Sequence, residues 1–137
     1  MSQQPVSNGS PAYVLDASAL LAWLHREPGL EIVEASLARS VISSVNWAEV
    51  LQKIIARGDR EPEDVGRDLR YVGLVVISFS VDDAGITARL WSMGRQVGLS
   101  LGDRACLSLA QRLGLPVLTA DRRWATLEMG VEVHLIR

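Results

Sequence analysis

A chain of 137 residues that is 48% hydrophobic and 22% charged has the size of one domain with a generous core, so it needs no disulfide or structural metal to fold. Its single cysteine, Cys106, excludes an internal disulfide and points to a reducing compartment, the cytoplasm. No apolar run nears the ~20 residues of a membrane span, nothing has the look of a secretory signal, and a net charge of −2 argues against broad, sequence-blind nucleic-acid binding unless bound cations reverse the local sign.

Residues 1–11 are polar, rich in Ser, Gln, Asn, Gly and Pro without periodicity, and read as a disordered leader. Residues 12–137 form the domain. The run Tyr13-Val14-Leu15 ends in Asp16 and predicts a buried strand feeding a helix over 18–25, which Glu27-Pro28-Gly29 stops. A short helix over 30–38 follows, with Ile32, Val33 and Leu37 on one side, then a strand over 41–43. The spacing of Trp47, Val50, Leu51, Ile54 and Ile55 predicts a strong helix over 46–57, closed by Gly58. A mostly polar helix over 62–74 starts at a proline. A strand over 75–79 precedes a long helix over 81–97 ended by Gly98. The chain closes with a helix over 100–113, a strand over 117–119, a short helix over 122–127 and a strand over 131–136. Strands alternating with helices predict an α/β domain whose sheet is mainly parallel, with helices on both faces.

Four acids fall where strands give way to helices: Asp16, Glu49, Asp103 and Asp121. In a parallel sheet these junctions share one edge, where open α/β sheets bind ligands. Each acid alone reads equally well as a helix cap. Asn46-x-x-Glu49 resembles a capping box, and Ser100-x-x-Asp103 a looser one. Together they would repel unless a cation were bound, and an oxygen-rich acidic cluster suits Mg²⁺ or Mn²⁺. Ser18 and Thr119 lie beside these acids and are candidates to hydrogen-bond a water or a phosphate. His25 and His134 have no ligand-like spacing, Cys106 lies on an apolar helix side, and no glycine-rich phosphate loop is present. Trp23, Trp47, Trp91 and Trp124 are mostly core candidates, although Trp91 with Met93 also fits a partner surface.

Four stretches carry a family resemblance: Val14-Leu15-Asp16-Ala17-Ser18-Ala19-Leu20, Ser44-Val45-Asn46-Trp47-Ala48-Glu49-Val50, Leu101-Gly102-Asp103-Arg104-Ala105-Cys106, and Leu115 through Trp124 with Thr119-Ala120-Asp121 at its centre. In this order and spacing the chain resembles the PIN-domain ribonucleases, and among them the VapC toxins of type II toxin–antitoxin pairs. The resemblance implies a three-layer α/β/α sandwich on a five-stranded, mainly parallel sheet. It also implies an endoribonuclease dependent on Mg²⁺ or Mn²⁺, cleaving RNA by metal-activated water. By position, Asp16, Glu49, Asp103 and Asp121 would be the metal ligands, Asp16 and Asp103 most directly, with Ser18 and Thr119 completing the catalytic set. Arg104, Arg122 or Arg123 would contact the RNA backbone. The implied partners are RNA, a cognate antitoxin and a second copy in a homodimer. The rival expectation is a non-catalytic PIN-like binding module whose acids only cap helices.

Overall fold

The computed structural model describes residues 11–137, so the expected leader lies outside the described residues except at Pro11. Five short strands pair in parallel throughout: β1 (Tyr13–Leu15), β2 (Ser40–Ser43), β3 (Val75–Ile77), β4 (Val117–Thr119) and β5 (Val133–Leu135), in the order β3-β2-β1-β4-β5. The central three are apolar on both faces, as parallel strands under two helical layers must be. Leu15, Ile42 and Leu118 point into one core with α1 (Ala17–Leu24), α2 (Leu30–Ser36), α3 (Ser44–Arg57) and α4 (Pro62–Val72). Val14, Val41 and Val117 point into the other, with Cys106, Leu107, Leu109 and Ala110 of α7 (Leu101–Leu113) and with Trp124. The sandwich therefore has the three layers and five strands that the resemblance implies, and its sheet, expected to be mainly parallel, is parallel throughout.

Chain order determines where a ligand can bind. From β1 the chain winds outward to β2 and β3, then returns across the sheet to β4 and β5. The winding reverses between β1 and β4, and the crevice above their carboxyl ends is the switch point of the fold. Asp16 leaves β1 there, and Thr119 ends β4 there.

Several expected elements change in detail. The helix over 81–97 breaks into α5 (Val81–Arg89) and α6 (Trp91–Gly94), with Leu90 between them. The Thr87 carbonyl, which a continuous helix would give to the amide four residues on, accepts instead from Arg104 Nη1 at 2.9 Å. The strand over 75–79 shortens to an edge strand in which Val75 stays 51% exposed, because no further strand among the described residues pairs beyond it. Ile32 and Ile55 face outward; the buried line of α3 is Asn46, Val50 and Ile54. The helix α3 starts earlier than its apolar spacing implies, with Ser43 as its cap, accepting from the Val45 amide at 3.2 Å. Trp124 is fully buried, whereas Trp91 is exposed and stacks under Arg95.

One ion pair joins the helices of the second layer. Asp83, in the capping box of α5, is 1% exposed and accepts from Arg112 Nε of α7 at 2.6 Å and Nη2 at 3.2 Å. Burial, the largest single influence, would raise the Asp83 carboxyl, but the hydrogen bonds and charge of Arg112 together with the Ser80 hydrogen bonds outweigh it and hold the group below its ordinary 3.8. Arg112→Ala should therefore cost roughly 2–4 kcal/mol at neutral pH, because it strands a buried charge. A carboxyl with a depressed folded pKa stabilises the fold above its ordinary value and stops doing so as pH falls through the folded one. Thermal melts of the variant and the parent should accordingly converge as the pH drops below 3.8; an equal gap at acid and neutral pH would refute the ion-pair account.

Candidate active site

The four acids line a single open cleft of about 230 Å³, together with Ala17, Ser18, Leu21 and Lys53. Asp16 sits deepest, at 4% exposure. It is the N-cap of α1, with Oδ1 accepting from the Ala19 amide at 2.9 Å. Its Oδ2 accepts from Thr119 Oγ1 at 2.5 Å across the β1–β4 boundary. Ser18 Oγ lies 2.7 and 2.9 Å from the two carboxylate oxygens and accepts from the Ala120 amide at 2.9 Å. Thr119 Oγ1 in turn accepts from the Asp121 amide at 3.0 Å. The two hydroxyls are therefore not free for a phosphate, as their sequence position suggested. Their protons are committed to Asp16, and they act as positioning residues that tie both strand ends to one carboxylate.

Burial pushes the Asp16 carboxyl up to about 6, against the lowering effect of its hydrogen bonds to Thr119, Ala19 and Ser18, and the negative charge of Asp103 adds to the rise. A nearby cation would reverse that balance.

Glu49 lies one turn into α3, on the cleft side rather than in open solvent. Its Oε1 accepts from Asn46 Nδ2 at 2.9 Å, and the same amide nitrogen donates to the Gly102 carbonyl at 2.9 Å. Asn46 is thus not a helix cap. It is a buried strut between α3 and the start of α7, and sequence spacing alone disguised it as half of a capping box. Gly102 makes the approach possible: a Cβ there would fall 2.6 Å from Glu49 Oε2. Asp103 occupies the next position, in a complete capping box with Ser100.

Asp121 caps the 3₁₀ turn Arg122–Thr126 through the Arg123 amide at 3.0 Å. Arg123 also folds back on it, with Nη2 to Oδ2 at 2.6 Å and Nε to Oδ1 at 3.0 Å. These hydrogen bonds hold the Asp121 carboxyl below the usual carboxylate range. Of the three arginines expected at the RNA backbone, only Arg123 meets the acids. Arg104 is anchored on the Thr87 carbonyl, and Arg122 on that of Arg137. Lys53 reaches the cleft and carried no motif that would have singled it out.

The residues fit a hard divalent ion. The donors are carboxylates, Asp16 is destabilised in charged form, and the buried Asn46 Oδ1 has no partner beside Glu49. The fit is an open cleft rather than a finished cage: among the described residues, no three acidic, histidine or cysteine side chains already stand as a ready-made metal site. Asp121 is turned to Arg123, and Asp103 into its capping box.

Comparison with known proteins shows the family and the fold. The PIN domain family profile matches residues 13–128. The chain is 34% identical over 113 residues to a ribonuclease VapC of Mycolicibacterium smegmatis, covering 77% of this chain and 88% of that protein. It is equally identical to ribonuclease VapC30 of Mycobacterium tuberculosis, covering 77% of this chain and 86% of that one. Among solved structures, a toxin–antitoxin complex from Klebsiella pneumoniae superposes with a TM-score of 0.73 at 20% identity over 92% of this chain and 98% of that one. The DNA-bound VapBC of Salmonella typhimurium gives 0.70 at 18% identity, over 93% and 99%.

The elevated Asp16 pKa has a consequence in metal-free protein. An acid that binds its proton more tightly when folded favours folding at low pH, and loses that contribution as pH rises from 3.8 to above about 6. At neutral pH in EDTA, Asp16→Asn should be more stable than the parent by roughly 1–3 kcal/mol, since the neutral amide still accepts from Ala19 and avoids the buried charge. Chemical denaturation should show the advantage vanishing below about pH 4. A variant less stable at every pH would contradict it.

Proposed function

Since the chain belongs to the PIN-domain family, on its VapC branch, we propose that it is an endoribonuclease, the toxin of a type II toxin–antitoxin pair, dependent on Mg²⁺ or Mn²⁺. The observation that carries the reading is the convergence of Asp16, Glu49, Asp103 and Asp121 on one cleft at the switch point of the sheet. Asp16, Asp103 and Glu49 would hold the ion, with Asp121 at the rim. When bound, such an ion lowers the pKa of water and offsets charge on a phosphodiester in the transition state.

The chain's own groups do the rest. Ser18 and Thr119 present the Asp16 carboxylate in one orientation toward the cleft. Asn46 fixes Glu49 against the start of α7. Lys53 and Arg123 are the cations at the mouth, suited to contact an RNA phosphate electrostatically. A protein partner is supported by an apolar groove of about 270 Å³ along α3 and α4, lined by Trp47, Leu51, Leu69, Leu74 and Val76; the partner class is a cognate antitoxin. No helix among the described residues is long and apolar enough to cross a membrane, and the proposed substrate places the protein in the cytoplasm.

Purified protein should cleave single-stranded RNA with Mg²⁺ or Mn²⁺ and stop in EDTA. Asp16→Asn and Asp103→Asn should each lose at least about 100-fold in rate. Gly102→Ala, which crowds the Glu49 carboxylate, should weaken Mn²⁺ binding about tenfold with little loss of stability. Bound Mn²⁺ should also raise the melting temperature, as any ligand of the folded state must. Cleavage that survives both substitutions and EDTA would overturn the reading, and a chain neither cleaving RNA nor stabilised by metal would be a binding module instead.

A further inference from the structure

Arg123 is held more completely than a solvent-facing cation needs to be. Its side chain is 53% exposed, yet each guanidinium nitrogen has an acceptor. Nε lies 3.0 and 3.2 Å from the two Asp121 oxygens, and Nη2 is 2.6 Å from Oδ2. Nη2 is also 3.9 Å from Asp103 Oδ2. Nη1 donates to the carbonyls of Val97 at 3.0 Å and Gly98 at 3.3 Å. Gly98 has φ +74°, and a Cβ there would come within 3.1 Å of Nη1, so the loop before α7 is shaped around the guanidinium. Both Asp121 oxygens are thereby occupied. An ion could bind that carboxylate only by displacing a fork that two backbone carbonyls also hold.

Charge balance points the same way. Four carboxylates line the cleft, and Lys53 and Arg123 are the cations that face them. Their sum is −2, which one divalent ion neutralises and two would overshoot.

We propose that Arg123 takes the place of a second divalent ion at the Asp121 corner, so that the cleft binds a single ion between Asp16, Glu49 and Asp103. Asp121 is then an anchor for Arg123 rather than a metal ligand, and Arg123 is a positioning residue that brings fixed positive charge within reach of Asp103. This rests on the metal-dependent reading given above, and departs from what the family resemblance implies in assigning Asp121 to the arginine.

Mn²⁺ titration of the full chain near neutral pH, by calorimetry with free Mn²⁺ followed by electron paramagnetic resonance, tests it without reference to activity. The parent should bind one Mn²⁺. Asp121→Asn, which can still cap the 3₁₀ turn, should keep one site with affinity within about threefold, whereas Asp103→Asn should lose far more. Arg123→Gln should admit a second Mn²⁺, and Arg123→Lys, which keeps the charge, should stay at one. Thermal melts confirm folding; if Arg123→Gln does not fold, Asp121→Asn and Arg123→Lys decide. Two ions in the parent, a single ion in folded Arg123→Gln, or an Asp121→Asn loss equal to that of Asp103→Asn would overturn the proposal and leave the metal reading standing. A parent that binds no Mn²⁺ would remove the metal reading itself.

Discussion

The 2.5 Å hydrogen bond from Thr119 to Asp16 is the contact on which the site depends. It joins residues 103 positions apart and can form only if β4 pairs with β1 in the register that sets Leu15 against Leu118. A slip of one residue would exchange Leu118 with its neighbours between the two cores and swing the hydroxyl away. Correct sheet assembly and correct placement of the deepest acid are therefore one event. The cost is a carboxylate buried in a region whose neighbours are also acidic, and it is the kind of local strain that functional sites retain because it is relieved on binding.

Capping and chemistry turn out not to compete. Asp16 caps α1, Asp103 closes the capping box of α7, and Asp121 caps the 3₁₀ turn. A helix that starts just past a parallel strand starts at the ligand-binding edge of the sheet. The residue type that satisfies its free amides is also the type that attracts a cation. The bland account of each acid and the sharp account of the set describe the same atoms. Glu49 differs: it caps nothing and is held by Asn46, so a site role is the simpler account of that arrangement.

Much of this was legible in the chain because apolar runs broken by acids reveal both the strands and their ends. The three-layer sandwich, the five strands and the shared cleft all followed from that pattern and the family resemblance. What escaped depends on contacts between distant segments. Nothing in the sequence separates Arg123 from Arg104 and Arg122; only its fork on Asp121 and the carbonyls of the loop at residues 97–98 distinguish it. Gly102 carried no turn signal, since its value lies in the missing Cβ facing Glu49. The interruption at Leu90 is invisible to periodicity, which continues through it, because its cause is a guanidinium on another helix. Ser18 and Thr119 stand beside the acids in sequence, but only their distances to Asp16 show where their protons go.

Cys106, fully buried behind the acids on α7, gives the molecule a built-in reporter. Burial pushes its thiol well up, and the charges of Asp16, Asp103 and Glu49 push it further in the same direction. Alkylating reagents and peroxides attack the thiolate, so this sulfur is inert while the layer over it stays closed. Its labelling rate therefore clocks the breathing of the helix that carries Asp103, with no engineered probe in the chain.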